Sequence, residues 1–198
     1  MKFLFEEEQA KCEAGQLYNT KTPERERLHV ACMELCFAYN ATSPSDMKQR
    51  EEILRKLFGK LGAEPYVEPT IFFGFGTNVE AGDRLFINND CVFVDPGKII
   101  LGDDVLIGPQ CGFYTAIHPL DPELRRESYE MAKPIRVGNN VWFGGHATVL
   151  PGVTIGDNTV IGAGSVVTHD IPSNVVAVGN PCRVIRQITR EEKSEMTK

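Results

Sequence analysis

The chain has no run approaching the ~20 apolar residues that a membrane-spanning helix needs. Positive charge is in short supply: 21 Lys and Arg stand against 27 Asp and Glu, a net charge of -6. A nucleic-acid or anionic-membrane partner demands a basic face, so neither is expected. The six cysteines form no CxxC pair. Cys32 and Cys36 lie one helical turn apart with no clustered histidine, so they read as small buried hydrophobes and no metal site is expected. The opening MKFLFEEEQAK gives only five residues before three consecutive glutamates. A secretory leader needs an apolar core of roughly 7–15 residues, so a cytoplasmic location with reduced thiols is expected.

What is present is ordinary globular material, 42% hydrophobic and 24% charged over 198 residues, which fits one domain with a small appendage. Residues 1–62 read as a helical N-terminal segment. Between Glu24 and Asn40, Leu28, Ala31, Cys32, Leu35 and Cys36 follow helical spacing. Ile53, Leu54, Leu57, Phe58 and Leu61 form a second apolar stripe, which Gly62 would end.

Residues 63–188 carry a different period. Leu101, Ile107, Phe113, Val137, Phe143, Val149, Ile155, Ile161 and Val167 all differ by multiples of six. Glycine follows in six of the nine, and the position four after each is never charged. Six is not a helix period. A mostly β architecture, the parallel β-helix, requires it: each hexapeptide makes a short strand and a corner, with the large residue inside. Glycine is expected at the corner for backbone conformations that a Cβ resists. Asp103-Asp104, Asn139-Asn140 and Asp157-Asn158 then fall outside. Upstream, Phe73, Val79, Leu85 and Cys91 keep the spacing two positions out of phase, with Pro96-Gly97-Lys98 expected to absorb the slip. Residues 119–136 break the pattern with three prolines and eight charged residues, and read as one long excursion loop leaving the coil after His118. Residues 189–198 read as a polar tail.

The repeat resembles that of the hexapeptide-repeat acyltransferases, whose fold is a left-handed parallel β-helix. AGQLYN, VEPTIFFGFGTN, INNDCVFVD, TAIHPLDPELR, KPIRVGNNVWFGG, PGVTIGDNTVIGAGSVVTHDIP and VGNPCRVI are similar to the maltose/galactoside O-acetyltransferase branch, over roughly residues 10–188. Left-handedness rests on that resemblance alone, against the usual right-handed crossover. The resemblance implies a homotrimer that moves an acetyl group from acetyl-CoA to a sugar hydroxyl within a ternary complex. It implies His118 as general base, a role suited to an imidazole whose unperturbed pKa lies near working pH. Asn88 matches the position that bonds the acceptor near the base, with Phe86, Asp95 and Glu130 as further acceptor candidates. Phe86 stands for a tyrosine of galactoside-type enzymes, Gly74 for a serine and Thr20 for an aspartate. For the donor, the resemblance implies a groove between coils of two subunits, with Gly145, Ala163 and Thr168 against the pantetheine and adenine. Arg183 and Arg186 would meet the phosphates, a task that suits the guanidinium fork, and His169 replaces a lysine. Trp142 is expected to pack between coils.

Other readings stay open. A xenobiotic or serine O-acetyltransferase of the same fold would share the repeat, and a structural β-helix subunit would need neither His118 nor Arg183. A γ-class carbonic anhydrase would need close zinc-binding histidines, and His146 and His169 are too far apart in sequence.

Overall fold

The computed structural model describes residues 2–189; the polar tail expected at 189–198 lies outside them apart from Thr189. Its body is a parallel β-solenoid of about six turns with three faces. Face I stacks Lys60–Leu61, Val79–Ala81, Ile99–Leu101, Ile135–Val137 and Thr154–Ile155. Face II stacks Tyr66–Val67, Phe86–Ile87, Leu106–Ile107, Trp142–Phe143, Val160–Ile161 and Val175–Val178, and ends on the antiparallel strand Arg183–Gln187. Face III stacks Ile71–Phe73, Cys91–Val94, Gly112–Tyr114, Thr148–Val149 and Val166–Val167. The chain runs I, II, III in every turn.

The nine large residues of the repeat are all buried, each 4% exposed or less. Phe73, Phe93 and Phe113 stack ring on ring at 4.7 and 5.1 Å, and Phe143 closes on Phe113 edge-on at 5.2 Å. Offset aromatic contacts of this kind add to the burial energy of each ring. The small column also holds: Val105, Cys111, Val141, Ala147 and Ser165 fill the interior corners.

Glycine is needed at the corners for a different reason from the one expected. Gly102 does not have positive φ; a Cβ there would lie 2.5 Å from Asn139 Oδ1 and 2.7 Å from the Gly138 carbonyl carbon. It is close approach of the next coil that excludes a side chain. The left-handed backbone falls instead on Arg84, Asp104, Asn140 and Asn158, two residues further on, with φ of 54° to 57°. Their side chains join across coils: Arg84 pairs with Asp104 at 2.6 Å and Asn140 donates to Asn158 at 3.2 Å. His146, φ 59°, is a corner residue of the same kind on another edge.

The upstream phase differs from the one expected. Phe73 pairs with Phe93 and Ala81 with Leu101, so the interior column is Val67, Phe73, Ala81, Ile87, Phe93 and Leu101. Leu85 and Cys91 belong to the corner column. The slip is not absorbed once at residues 96–98. Successive coils here stand 20 residues apart, against 18 further on and 16 in the last, because the corner from face III to face I is longer in the first coils.

Helices close the N-terminal end. α1 spans Lys2–Glu13, α2 Pro23–Ala41 and α3 Met47–Leu57. Thr22 and Asp46 cap the last two through their side-chain oxygens, which accept from Arg25 N and Gln49 N. α2 buries Cys32, Cys36 and Tyr39, while Ala31 faces out. Asn40 bonds both backbone groups of Ile71, at 3.0 and 2.9 Å, so α2 is tied to the first coil as an extra ladder rung. α3 stops at Leu57, earlier than its apolar stripe implied. Gly59 N and Gly62 N donate to Val79 O and Ala81 O at 3.0 Å, which draws Lys60–Leu61 into face I as its first strand. Phe58 packs edge-on against Phe73 at 5.1 Å and plugs the open end.

The excursion is ordered. Ala116–Ile117 pairs antiparallel with Tyr129–Ala132, which pairs in turn with Tyr18–Asn19. Between them lies α4, Pro122–Arg126, and the coil resumes at Ile135. All six cysteines are free and buried. No described helix is long and apolar enough to cross a membrane, and no three His, Cys, Asp or Glu among the described residues converge on a metal site.

Candidate functional site

The longer corner between faces III and I makes room for a cleft of about 310 Å³. Its walls come from Gly74, Phe75, Val94 and Pro96 of the coils, from Ala116 and Glu130 of the excursion, and from Thr20, Arg25, Glu26 and His29 at the start of α2. A buried polar cluster supports it. The Tyr18 hydroxyl donates to Glu130 Oε1. Arg25 Nη2 lies 3.0 Å from that hydroxyl and 3.7 Å from Glu130 Oε1. The guanidinium is held between two rings, 4.8 Å from Tyr18 and 4.5 Å from Phe75. Burial pushes the Tyr18 phenol up, so it remains a donor.

Asp95 lies beneath this wall rather than on it. It is fully buried, with Oδ1 accepting from Phe75 N at 2.8 Å and Oδ2 without a partner. Burial raises its pKa to about 6, against the lowering effect of the backbone N–H groups of Phe75, Gly74 and Gly76. A Cβ at Gly74 would stand 3.1 Å from Asp95 Oδ1, tight enough to disturb that bond.

His118 follows Ala116–Ile117 directly and is exposed. Ala116, two residues before His118, is in the cleft wall. The backbone beyond it is braced. Arg125 Nη1 donates to Pro119 O at 2.6 Å and Leu120 O at 2.7 Å, and Asp121 caps α4 through Glu123 N and Leu124 N.

Three of the expected residues line this cleft, Thr20, Gly74 and Glu130, and His118 follows Ala116, another wall residue, by two positions. Phe86 and Asn88 do not join them. They lie at the other edge of face III, along a groove of about 450 Å³ shared with Leu106, Trp142 and Gly145. Trp142 is 53% exposed on the outside of face II and lines this groove instead of packing between coils. Ala163 occupies the same corner one coil beyond Gly145; a Cβ at Gly144 would come within 2.5 Å of its nitrogen. Thr168 Oγ1 and His169 Nδ1 are hydrogen-bonded at 2.7 Å after the last strand of face III. Arg183 and Arg186 project from the exposed final strand of face II. Sequence reasoning passed over Tyr18, Arg25, Arg125 and His29. The Tyr18–Glu130 and His29–Gly74 contacts span 112 and 45 residues, so no local pattern announces them.

Residues 11–62 match the family model of the maltose acetyltransferase hexapeptide capping motif, and residues 134–169 that of the bacterial transferase hexapeptide. The galactoside O-acetyltransferase of Escherichia coli is 41% identical over 91% of this chain and 89% of its own. Among solved structures, a maltose O-acetyltransferase from Clostridium difficile 630 superposes with a TM-score of 0.90 at 45% identity, covering 92% of this chain and 98% of its own. A galactoside acetyltransferase in complex with coenzyme A superposes with a TM-score of 0.91 at 39% identity, covering 94% and 93%. The capping helices, the repeat and these full-length likenesses together establish that the chain belongs to the maltose/galactoside O-acetyltransferase family of hexapeptide-repeat acyltransferases.

Proposed function

We propose that the chain transfers an acetyl group from acetyl-CoA to a hydroxyl of a glucose- or maltose-type sugar, with His118 as general base. An exposed imidazole directly after the strand whose Ala116 lines a polar cleft, on a turn braced by Arg125, is the observation that supports this reading most. A sugar hydroxyl is a weak nucleophile. A His118 ring nitrogen takes its proton as the oxygen attacks the thioester carbonyl carbon. The tetrahedral adduct then collapses with cleavage of the C–S bond. The thiolate of CoA recovers the proton from the imidazolium, which leaves a sugar ester, free CoA-SH and neutral His118. The chain's own residues fit the donor: small Gly145 and Ala163 keep the corner groove open, and the Arg183 and Arg186 guanidinium groups suit phosphates.

A second copy of the chain completes the site. Phe86, Asn88 and Gly145 lie along one edge of face III; Glu130 lies at the other, where the excursion that carries His118 leaves the coil. Copies related by an axis parallel to the coil bring unlike edges together, and three such copies close a ring. The outer side of face II offers apolar material for that contact: Tyr66, Leu106 and Trp142 are 45%, 48% and 53% exposed, and Phe86 stacks on Tyr66 at 5.8 Å.

The acceptor is tested by kcat/KM for matched glucosides and galactosides at one acetyl-CoA concentration. Phe86 cannot donate the hydrogen bond of a tyrosine, so glucosides are expected to do at least as well. A galactoside advantage of about tenfold, the effect of one lost polar partner, contradicts the glucose-type reading. Turnover of an antibiotic or amine but of no sugar replaces the acceptor class.

A further inference from the structure

His29 is used by none of the roles above, yet its ring forms part of the cleft wall, 5.9 Å from the Phe75 ring. Its Nδ1 lies 2.7 Å from the Gly74 carbonyl oxygen. A carbonyl can only accept, so Nδ1 carries the hydrogen. In the neutral ring Nε2 is then left as a bare lone pair. The other polar groups of the wall are largely committed. Thr20 Oγ1 donates to Ser128 O, Arg25 serves Tyr18 and Gln9, and Glu130 accepts from Tyr18. Among the lining residues described, the His29 Nε2 and the Glu26 carboxylate have no protein hydrogen-bond partner, and Glu130 keeps its Oε2 free beside the oxygen that Tyr18 occupies.

We propose that His29 is a specificity-determining residue: anchored through Nδ1–H on Gly74, it accepts at Nε2 a hydrogen bond from a ring hydroxyl of the bound sugar other than the one acetylated. The Gly74 carbonyl fixes the tautomer, and Phe75, itself backed by Arg25, fixes the ring plane. This rests on the cleft being the acceptor site. The residue selects; it takes no part in the proton transfer.

The test measures kcat/KM of the full-length protein for a parent glucoside and its monodeoxy series. In the wild type one monodeoxy sugar should lose roughly three- to tenfold, the value of a single partly solvated hydrogen bond. His29→Asn keeps a donor for Gly74 but cannot reach as far as Nε2, so that penalty should vanish while the others stay. His29→Gln restores reach and should restore part of it. CoA binding by each variant, measured by calorimetry, separates a folding defect from a loss of selection. An unchanged deoxy profile in His29→Asn, or no penalised sugar in the wild type, overturns the proposal. An unchanged profile with one clear penalty assigns the discrimination to another group such as Glu26. Absence of turnover with every sugar overturns the sugar reading itself, and this proposal with it.

Discussion

Asp95 shows how a single residue links the core to the site. Its carboxylate is enclosed, one oxygen has no partner, and its pKa is raised to about 6. A raised carboxyl pKa means that the folded state holds its proton where the unfolded chain has released it. Stability therefore falls as pH rises from about 4 to about 6, at a cost on the order of 3 kcal/mol above that window. Asp95→Asn should flatten the stability curve between those pH values relative to wild type, as read by urea midpoints at each pH. Equal slopes in the two proteins would show that Asp95 ionises normally. The family resemblance implied Asp95 as a candidate acceptor contact. The fold puts it one layer deeper, bonded to the backbone of Phe75, which is itself in the wall.

The coil and the excursion set what can be read at the level of elements. From Leu101 to Val167 the six-residue period placed the large interior residues correctly, since the corners there cost the same number of residues and strand alternation does the rest; in the last coil, 16 residues long, Ile171 pairs with Ile155 instead of filling a corner. The upstream coils were mis-phased because their III-to-I corners are longer, and a period cannot announce an insertion that occurs in successive turns. Those same corners, around Gly74–Asn78 and Asp95–Lys98, are what open the cleft. Glycine was found at the right positions for the wrong reason. If close stacking is the cause, Gly102→Ala should destabilise by about 1–3 kcal/mol, the usual cost of overpacking. The Ala Cβ meets Asn139 Oδ1 and the Gly138 backbone at 2.5 and 2.7 Å. Thermal unfolding checks this, and a midpoint equal to wild type would show that the coils can part freely. The excursion was legible as a loop from its prolines and charges. Its pairing with Tyr18–Asn19 was not, because a strand of that length carries no pattern of its own.

At the scale of the whole molecule, the residues matched to a sugar acetyltransferase divide between two edges of one coil. Thr20, Gly74 and Glu130 share the first, from which the excursion carrying His118 departs; Phe86, Asn88, Gly145 and Ala163 share the second. A sequence places residues along a chain and is silent about which face of another copy they will meet. Sedimentation should find a trimer in the active preparation. Trp142→Glu puts a charge into the apolar stripe of face II, and it should lower both the mass and the activity together. An active monomer would mean that one edge alone suffices and that the expected division of labour is mistaken.

The most direct test of the central claim is steady-state release of CoA, followed with a thiol reagent, for wild type and His118→Ala with a glucoside acceptor, alongside calorimetric binding of CoA. Loss of a positioned base should lower kcat by ~10²–10⁴-fold and leave CoA binding nearly unchanged, since the imidazole acts on the acceptor and not on the donor's grip. A variant that retains near-wild-type kcat, with the sugar still acetylated, would contradict the account and move the base elsewhere in the cleft.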